Sequence, residues 1–433
     1  MQPATQTVAA PTPSRADARR VAKAGFLGTT IEWYDFYLYA NTATLVFGKE
    51  FFPALSPTTA VLASFATISV AFVARPIGGV IFAHFGDRIG RKATLVTSLL
   101  MMGVSTMLVG VLPTYAQIGV AAPILLTVLR FLQGVAVGGE WGGAVLMATE
   151  FAPPGERARM SGWPQQGVTA GLALSTALLL LVNLVVPRQA YLDWGWRLTF
   201  LVSAVLVAVG LVLRLRMKES PAFEATRTKV RGLPIVAVFR ESPRVLVLAV
   251  LTYLAVSVCF YIPFTYLLSH ATEALKIAQP AALIGVLVAA AVYAVGQRIA
   301  VGLADRYGRR LPLLLGAGGS IVMAVPMVAL TETGSPVWWA VGLALYVFPV
   351  GLLYAPVGVY FAELFPTAVR YSGTTAANQL GSVIGGGLAP FIAVGLASGF
   401  GMYGVAAYLI VIAVISGAAV LRLGETRHVD ITR

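Results

Sequence analysis

Charged residues are scarce in this sequence. Only 11% of its 433 residues are charged, 58% are hydrophobic, and the mean hydropathy is +0.81. A soluble domain usually carries about 25% charged residues. Because the shortfall extends along the whole chain, we expect lipid rather than water to be the main solvent. A large soluble enzyme with a buried core does not fit this composition.

Residues that bind metals or perform covalent catalysis are also rare. The chain has one cysteine, Cys259, within an apolar run, so an internal disulfide is impossible. Its three histidines, His84, His270 and His428, are scattered and form no metal-spaced cluster with cysteine. There is no evident nucleophile–base pair and no sizeable loop domain. The sequence therefore predicts no metal site and no cofactor, and it argues against a membrane-embedded enzyme.

Long apolar runs are what the sequence has instead. A helix needs roughly 20 apolar residues to cross a hydrocarbon core about 30 Å thick. Charged or Pro/Gly-rich breaks divide the chain into twelve such runs, which predict an all-α integral membrane protein with twelve transmembrane helices in two six-helix bundles. The predicted helices span residues 22–47, 58–83, 93–112, 118–149, 160–186, 197–217, 244–270, 279–303, 311–331, 336–362, 371–398 and 402–422.

These runs define five segments of the chain. The bundles are expected at residues 21–217 and 244–422, and residues 218–243 form a hydrophilic linker with short amphipathic helices. Residues 1–20, rich in Ala, Thr and Pro, are predicted to be a disordered tail, and residues 423–433 form a second tail.

Basic residues outnumber acidic ones, giving a net charge of +13. If both termini are cytoplasmic, Lys and Arg fall overwhelmingly on the inner side, including most of those in residues 214–244. The outer side keeps only Lys49, Arg188, Arg197 and Lys276. This is the positive-inside pattern of membrane proteins. It predicts a multi-pass protein of the plasma (inner) membrane with cytoplasmic N- and C-termini, and no nucleic-acid partner.

Charged turns recur at matching places in the two halves. Asp87–Lys92 (DRIGRK) returns as Asp305–Arg310 (DRYGRR), and the Glu, Pro, Arg and Ser-Gly residues of 150–162 return in order in 363–373. The repeats predict two six-helix halves in parallel register. We expect their charges to form latches at the inner face, individually weak but able to act as a network. The predicted gating residues are Asp87, Arg88, Arg91, Lys92, Glu150, Arg159, Asp305, Arg306, Arg309, Arg310, Glu363 and Arg370.

Ionisable residues also lie within the predicted spans. Glu32 and Asp35 are three residues apart and share a helix face. Asp35 lies about 18 Å along the helix from Lys23, and Arg75 lies roughly 18 Å before Asp87. Such side chains are costly in a membrane and usually face a water-filled path. A salt bridge that only locks helices together remains the alternative.

Span four contains Arg130 and Glu140 among glycines at helical spacing. Gly134, Gly138 and Gly142 recur at i, i+4 and i+8, a pattern that favours close helix packing. Arg130 lies further out, where it is expected to reach a carboxylate of span one. The predicted proton-coupling residues are Asp35, Glu32, Arg130 and Glu140.

The second half has fewer buried charges, with Arg298 as the clear example. Its other polar candidates are tyrosines and amides, although membrane tyrosines more often lie at the interface or pack against neighbours. The predicted substrate-binding residues of both halves are Arg75, Tyr37, Tyr253, Tyr261, Arg298, Asn378 and Gln379.

Together these motifs resemble the major facilitator superfamily. DRIGRK and DRYGRR match its inter-helix turn, although Ala83 and Val301 stand where that motif usually has glycine. Within the superfamily the chain resembles metabolite:proton symporters, the group of shikimate, α-ketoglutarate, citrate and proline/betaine permeases. The narrower match rests on IEWYDFYLY (31–39), RPIGG (75–79), GGEWGGA (138–144), DWGWR (193–197) and ELFPTAVRYSG (363–373).

The resemblance implies a secondary transporter, expected to be a monomer, whose two bundles enclose a central cavity that opens alternately to each side. Protons would be co-transported with a small molecule. The arginines favour an anionic organic acid such as shikimate or a di- or tricarboxylate. The alternative substrate is a zwitterionic osmolyte of the proline/betaine type, because tyrosine rings suit a quaternary ammonium group.

Overall fold

The computed structural model describes residues 14–89, 91–216, 234–429 and 431. Within these ranges the chain forms helices joined by short turns and contains no strand. A backbone surrounded by lipid has no water to bond, so helices, which satisfy their own N–H and C=O groups, are the expected solution. The all-helical fold class predicted from the sequence is confirmed.

Six long helices form the first half. They are α1 (Arg15–Thr42), α2 (Pro57–Ile89), α3 (Arg91–Val111), α4 (Ala121–Glu150), α5 (Arg157–Val185) and α6 (Trp196–Leu215). Short helical segments occupy Ala43–Phe47, Gly48–Phe51, Tyr115–Ile118, Arg188–Ala190 and Tyr191–Gly195.

The first helix begins earlier than predicted. The side chain of Ser14 accepts a hydrogen bond from the backbone N–H of Asp17, so it caps α1 and allows the helix to begin at Arg15. The expectation that residues 1–20 are disordered is therefore wrong for residues 15–20. Residues 1–13 lie outside the described ranges.

The second half follows a short linker helix, Pro234–Glu241. Its long helices are α7 (Pro243–Tyr261), α8 (Gln279–Tyr307), α9 (Arg310–Thr331), α10 (Pro336–Tyr354), α11 (Arg370–Ser382) and α12 (Ala389–Leu423). Ile262–Tyr266 and Leu267–Glu273 extend α7, and Val357–Leu364 extends α10. A 3₁₀ turn, Thr367–Val369, precedes α11, and the π-helical Val383–Gly387 follows it.

These helices make twelve crossings. Nine described stretches are long and apolar enough to span a membrane, and one of them, Arg370–Leu423, contains two crossings because the backbone breaks at Gly401, where φ is +67°. The remaining crossings are α1, which is more polar, and α2, which contains the shorter apolar stretch Ala66–Phe82. The predicted arrangement of six helices in each half is confirmed.

The two halves meet along two helix pairs. α5 of the first half packs against α8, and α2 packs against α11. Between these pairs, aromatic side chains from both halves share one buried core. The Trp33 ring centroid lies 5.9 Å from that of Tyr261, and Trp141 lies 6.1 Å from Tyr253. The centre of the molecule is therefore lined by rings from both halves.

The glycines of α4 allow α2 to approach closely. A Cβ at Gly138 would overlap the carbonyl oxygen of Arg75, and one at Gly134 would overlap that of Ala71. Gly142 instead faces Thr375 of α11. The predicted packing role of these glycines is confirmed, and the contact at Gly138 fixes the position of Arg75.

Candidate functional site

A buried ion pair lies at the centre of the first half. Nη1 of Arg130 on α4 is 3.7 Å from Oδ2 of Asp35 on α1. Gln133 accepts a hydrogen bond from Arg130 (3.0 Å) and donates one to Asp35 (3.2 Å) and one to Thr106 of α3 (2.9 Å). The Arg130 guanidinium also lies over the ring of Tyr39, 3.8 Å from its centroid. The predicted proximity of Arg130 to a carboxylate of span one is confirmed.

This ion pair is only partly satisfied. Asp35 Oδ1 and the Nε and Nη2 atoms of Arg130 have no hydrogen-bond partner among the described residues. The two side chains are only 5% and 3% exposed. Removing a charged group from water costs several kcal/mol, on the order of 5, unless its lone pairs and protons find partners. The arrangement is therefore poised to change its protonation state or to accept a polar ligand.

Arg75 projects into an aromatic pocket between the halves. Its guanidinium carbon lies 4.4 Å from the ring centroid of Phe72 and 5.6 Å from that of Phe36, and it faces the hydroxyl of Tyr261 on α7. Glu32 is buried nearby, and its Oε2 and the Nε of Arg75 lack hydrogen-bond partners in the part of the chain that the structure describes. A cation of the first half thus meets a phenol of the second.

Unsatisfied hydroxyl groups surround this position. The hydroxyls of Tyr37, Tyr293 and Tyr354 and the Oγ of Ser257 are buried without a hydrogen-bond partner among the described residues. Buried polar groups are nearly always hydrogen-bonded in native proteins, so each such group needs an explanation. Their convergence between the halves marks a site for a polar molecule. Of these residues, only Tyr37 was among the predicted substrate-binding residues, and Tyr293, Tyr354 and Ser257 were not.

The amides predicted on α11 lie at the boundary between the halves. Gln379 donates a hydrogen bond to the carbonyl of Gly138 on α4 at 3.0 Å, and its Oε1 has no partner within the described ranges. Asn378 lies beside Tyr253 of α7. The structure therefore brings Tyr37, Arg75, Tyr253, Tyr261, Asn378 and Gln379 to the surfaces where the two halves meet.

Glu140 lies in a different environment from Asp35. It forms an ion pair with Arg214 of α6, which also donates to the carbonyl of Leu95 on α3. Ser98 donates a further hydrogen bond at 3.4 Å. Arg214 is buried, and the sequence analysis did not single it out as the partner of Glu140. The sequence signal for this pair is Gly28 on α1, whose missing side chain leaves room for the guanidinium.

Arg298 was predicted to bind substrate, but the structure places it elsewhere. Its side chain is exposed on the same side of α8 as Val295 and Ile299, two exposed apolar residues. That side faces lipid, where an arginine can extend its charged end toward the membrane surface. The residues around Arg298 are nearly all apolar, so the sequence did not indicate which face of the helix packs against the protein and which faces lipid. The assignment to the substrate site is therefore wrong.

Two glutamines missed in the sequence connect the halves instead. Gln297 of α8 accepts a hydrogen bond from Thr169 of α5 at 2.9 Å. Gln165 of α5 accepts from the indole N–H of Trp141 at 2.7 Å and donates to the carbonyl of Tyr354 at 3.0 Å. The only sequence signal for these two residues was an uncharged amide within an apolar helix. Such an amide indicates a buried polar site less strongly than a charged residue does.

Charges at one end of the molecule join the halves. Oδ1 and Oδ2 of Asp305 on α8 accept hydrogen bonds from the backbone N–H groups of Ala158 (2.9 Å) and Arg159 (3.0 Å) at the start of α5. Arg309 pairs with Asp305 at 3.3 Å and with both oxygens of Glu363 at 3.0 and 2.9 Å. Arg157 of the first half lies 3.6 Å from Glu363. We call this network the latch and this end of the molecule the charged end.

The other predicted gating residues make local contacts. Lys92 donates to the carbonyl of Leu215 at the end of α6, and Arg370 donates to Phe365 and Ile431. Arg306 is exposed beside Tyr307, Arg310 donates to Leu421, and Glu150 is half-buried at the end of α4. The side chains of Asp87, Arg88 and Arg91 lie outside what the structure describes.

The C-terminal tail also binds the latch, which the sequence did not reveal. Glu425 accepts hydrogen bonds from the backbone N–H groups of Arg309 and Arg310, and Thr426 donates to Glu363. The carbonyl of Val429 accepts from Arg157. The tail therefore contacts both halves.

Comparison with known proteins bears on the identity of this fold. The family model of the Major Facilitator Superfamily matches residues 25–390. The chain is 41% identical to the inner membrane metabolite transport protein YhjE of Escherichia coli K12 over 94% of each chain, and 38% identical to the shikimate transporter of that strain over 96% of each. It is 33% identical to the strain's proline/betaine transporter, over 95% of this chain and 84% of that one.

Solved structures show the same architecture. The proton:xylose symporter XylE bound to 6-bromo-6-deoxy-D-glucose superimposes with a TM-score of 0.79 at 15% identity, covering 96% of this chain and 98% of that one. The matched family model, the relatives and the two six-helix halves agree, so the chain is a multi-pass membrane transporter of small molecules and not an enzyme. It belongs to the Major Facilitator Superfamily.

Proposed function

We propose that the protein takes up a small organic acid anion together with protons, with its charged end and both termini in the cytoplasm. The observation that supports this most directly is the buried, partly satisfied pair of Asp35 and Arg130 beside Arg75. The excess of basic residues at the charged end supports the orientation, and the plasma membrane is the proposed location.

The charges in the centre of the first half support a link between a proton and an anion. Among the described residues, the carboxylates Glu32, Asp35 and Glu140 face the guanidinium groups of Arg75, Arg130 and Arg214. With all six ionised, the charges cancel. Protonation of Asp35 or Glu32 leaves one guanidinium uncompensated, and a buried unpaired charge is strongly unfavourable. A carboxylate substrate restores neutrality.

The transport cycle follows from this balance. A proton enters from outside and neutralises Asp35, which releases Arg130, or Glu32, which releases Arg75. The substrate carboxylate then binds Arg75, with hydroxyls such as Tyr37 and Tyr261 as further donors. With these charges satisfied the halves rock, the latch opens and the substrate leaves to the inside. Each net positive charge carried inward gains about 2.3 kcal/mol per 100 mV of interior-negative potential, so protons in excess of the substrate's negative charge drive uptake.

A zwitterionic osmolyte is the second candidate substrate. The rings of Trp33, Phe36 and Tyr261 lie within 6 Å of one another and form a wall that suits a quaternary ammonium group. A betaine would place its carboxylate on Arg75 and its ammonium group on this wall. If the substrate is an organic acid without a cationic group, these rings contribute only apolar packing.

A transport assay in proteoliposomes tests the proposal. Purified protein is reconstituted, a proton gradient is imposed, and uptake of shikimate, α-ketoglutarate, citrate, benzoate-type acids, proline and betaine is compared with and without an uncoupler. We expect concentrative uptake of one acid, abolished by the uncoupler. Equal uptake in both conditions would exclude proton coupling, and uptake of betaine or proline alone would favour the second candidate.

A further inference from the structure

A groove lies at the charged end between α7 and α12, away from the central site. It has a volume of about 480 Å³, and its lining comes from Pro243, Arg244, Val247 and Leu248 of α7 and Arg422 of α12. This volume lies within the range of small-ligand sites. The transport cycle described above makes no use of it.

The two arginines of the groove have no acidic partner among the described residues. Both side chains are exposed, and neither takes part in any of the ion pairs found there. The nearby carboxylate of Glu425 is occupied by the backbone of Arg309 and Arg310. Two guanidinium groups that line the same groove repel each other, so the groove favours an anion between them.

The two helices that carry these arginines are tied together by hydrogen bonds. Ser416 of α12 accepts a hydrogen bond from the backbone N–H of Ala255 at 3.0 Å and donates to the carbonyl of Leu251 at 2.6 Å, which ties α12 to α7. Near the groove, Arg310 donates to the carbonyl of Leu421 at 3.2 Å. The groove is therefore preformed, and an anion would not have to assemble it.

An apolar surface leads away from the groove along α12. Val411, Ile415, Ala418 and Arg422 follow one another at helical spacing, and all four are exposed. Val247 at the groove is also 56% exposed. A molecule with a phosphate at Arg422 and a hydrocarbon chain along Ile415 and Val411 matches both parts of this surface, whereas a free anion would match only the first.

We propose that this groove binds the headgroup of an anionic phospholipid in the leaflet at the charged end. The Arg244 and Arg422 guanidinium groups donate hydrogen bonds to the phosphate oxygens, a geometry in which arginine is strong. The acyl chains lie against the exposed row of α12. Basic pockets between membrane helices at such an interface are suited to acidic headgroups.

The test compares lipid retention by variants of the purified full-length protein. The protein in detergent is titrated with phosphatidylglycerol, with phosphatidylcholine or with inorganic phosphate, and native mass spectrometry measures the first tightly bound molecule. The variant is Arg244→Gln/Arg422→Gln. The control is Arg19→Gln/Arg427→Gln, which removes the same charge from two exposed arginines at the charged end, outside the groove.

We expect phosphatidylglycerol to bind the wild type and the control equally and the variant about 25-fold more weakly, at roughly fivefold for each arginine. Arg244→Lys/Arg422→Lys keeps the charge and should keep the preference for phosphatidylglycerol over phosphatidylcholine. If the double Gln variant does not fold, each single Gln variant should show the fivefold loss.

Three results would overturn the proposal. Equal binding of phosphatidylcholine would mean that the groove does not select for charge. Competition by millimolar inorganic phosphate, with no advantage for the lipid, would identify a free-anion site. Unchanged retention by the Gln variants would mean that phosphatidylglycerol binds elsewhere on the protein.

Discussion

At the scale of single residues, two ion pairs in the first half differ in how completely they are satisfied. The pair of Glu140 and Arg214 is supported by the Leu95 carbonyl and by Ser98. The pair of Asp35 and Arg130 keeps three polar atoms without partners among the described residues. The first arrangement stabilises one structure, and the second is suited to change during transport.

Arg214→Ala should destabilise the protein strongly because it leaves Glu140 buried without its cation. Breaking one partner of a buried pair costs about 3–5 kcal/mol. Arg216→Ala is the matched control, because Arg216 lies two residues further on and is exposed. Thermal unfolding in detergent measures both variants. Equal shifts in the unfolding temperature would contradict a buried pair.

Arg75→Lys should weaken substrate binding while leaving stability nearly unchanged. A lysine keeps the charge but loses the planar guanidinium group whose carbon lies 4.4 Å from the centroid of Phe72. We expect KM to rise about tenfold, the equivalent of 1.4 kcal/mol. Arg298→Lys, on the lipid-facing side, should leave KM unchanged. A larger effect at Arg298 would restore the assignment that the structure rejects.

At the scale of elements, the contact between α2 and α4 decides where Arg75 lies. Gly138→Ala should lower both stability and uptake because its Cβ would overlap the Arg75 carbonyl. Overpacking typically costs about 1–3 kcal/mol. Gly302→Ala on α8 is the control, because a Cβ there meets nothing within 4 Å. An alanine at 302 should be neutral or stabilise by up to roughly 1 kcal/mol. Unfolding temperature and initial uptake rate measure both variants, and equal behaviour would contradict the close approach.

The C-terminal tail is held by Glu425. Partial burial raises the pKa of this carboxyl, but hydrogen bonds from the backbone N–H groups of Arg309, Arg310, Arg427 and Thr426 outweigh it, and the pKa is lowered. Because the pKa is lowered, ionised Glu425 stabilises the docked tail fully at pH values above the ordinary pKa of a glutamate. This stabilisation is lost as the pH falls through the lowered value, so the tail is docked at neutral pH.

Glu425→Ala should therefore release the tail at pH 7. We expect trypsin to cleave after Arg427 several-fold faster than in the wild type, because a protease needs locally unfolded backbone. Mass spectrometry of the released fragment, residues 428–433, gives the rate. Glu273→Ala, an exposed residue outside the tail and the latch, serves as the control. An unchanged rate would mean that Glu425 does not hold the tail.

At the scale of the whole molecule, the sequence predicted the architecture and much of the site. Apolar runs and repeated turns predicted twelve helices in two halves, because both signals are local in the chain. The proximity of Asp35 to Arg130 was also predictable, since charges in apolar helices must find partners. Arg214, Arg298 and Gln297 show the limit, because burial depends on which helix face meets a neighbour.

Contacts between the halves were the least predictable feature. The sequence indicated that Asp305 and Glu363 belong to a network, but it did not indicate that Asp305 binds the backbone at the start of α5. Such contacts depend on how the two bundles dock. The spacing of residues along the sequence does not determine that docking geometry. The role of Asp35 in proton coupling likewise remains a prediction.

The most direct test of proton coupling is to measure proton movement when substrate is added. Protein is reconstituted in liposomes with a pH-sensitive dye inside, without an imposed gradient, and the substrate found in the uptake screen is added outside. The wild type should acidify the interior as substrate enters, whereas Asp35→Asn should show no proton movement but retain substrate exchange. Asp193→Asn, an exposed carboxylate in the short segment before α6, should behave like the wild type. Undiminished acidification by Asp35→Asn, or substrate entry in the wild type without any acidification, would contradict proton coupling through Asp35.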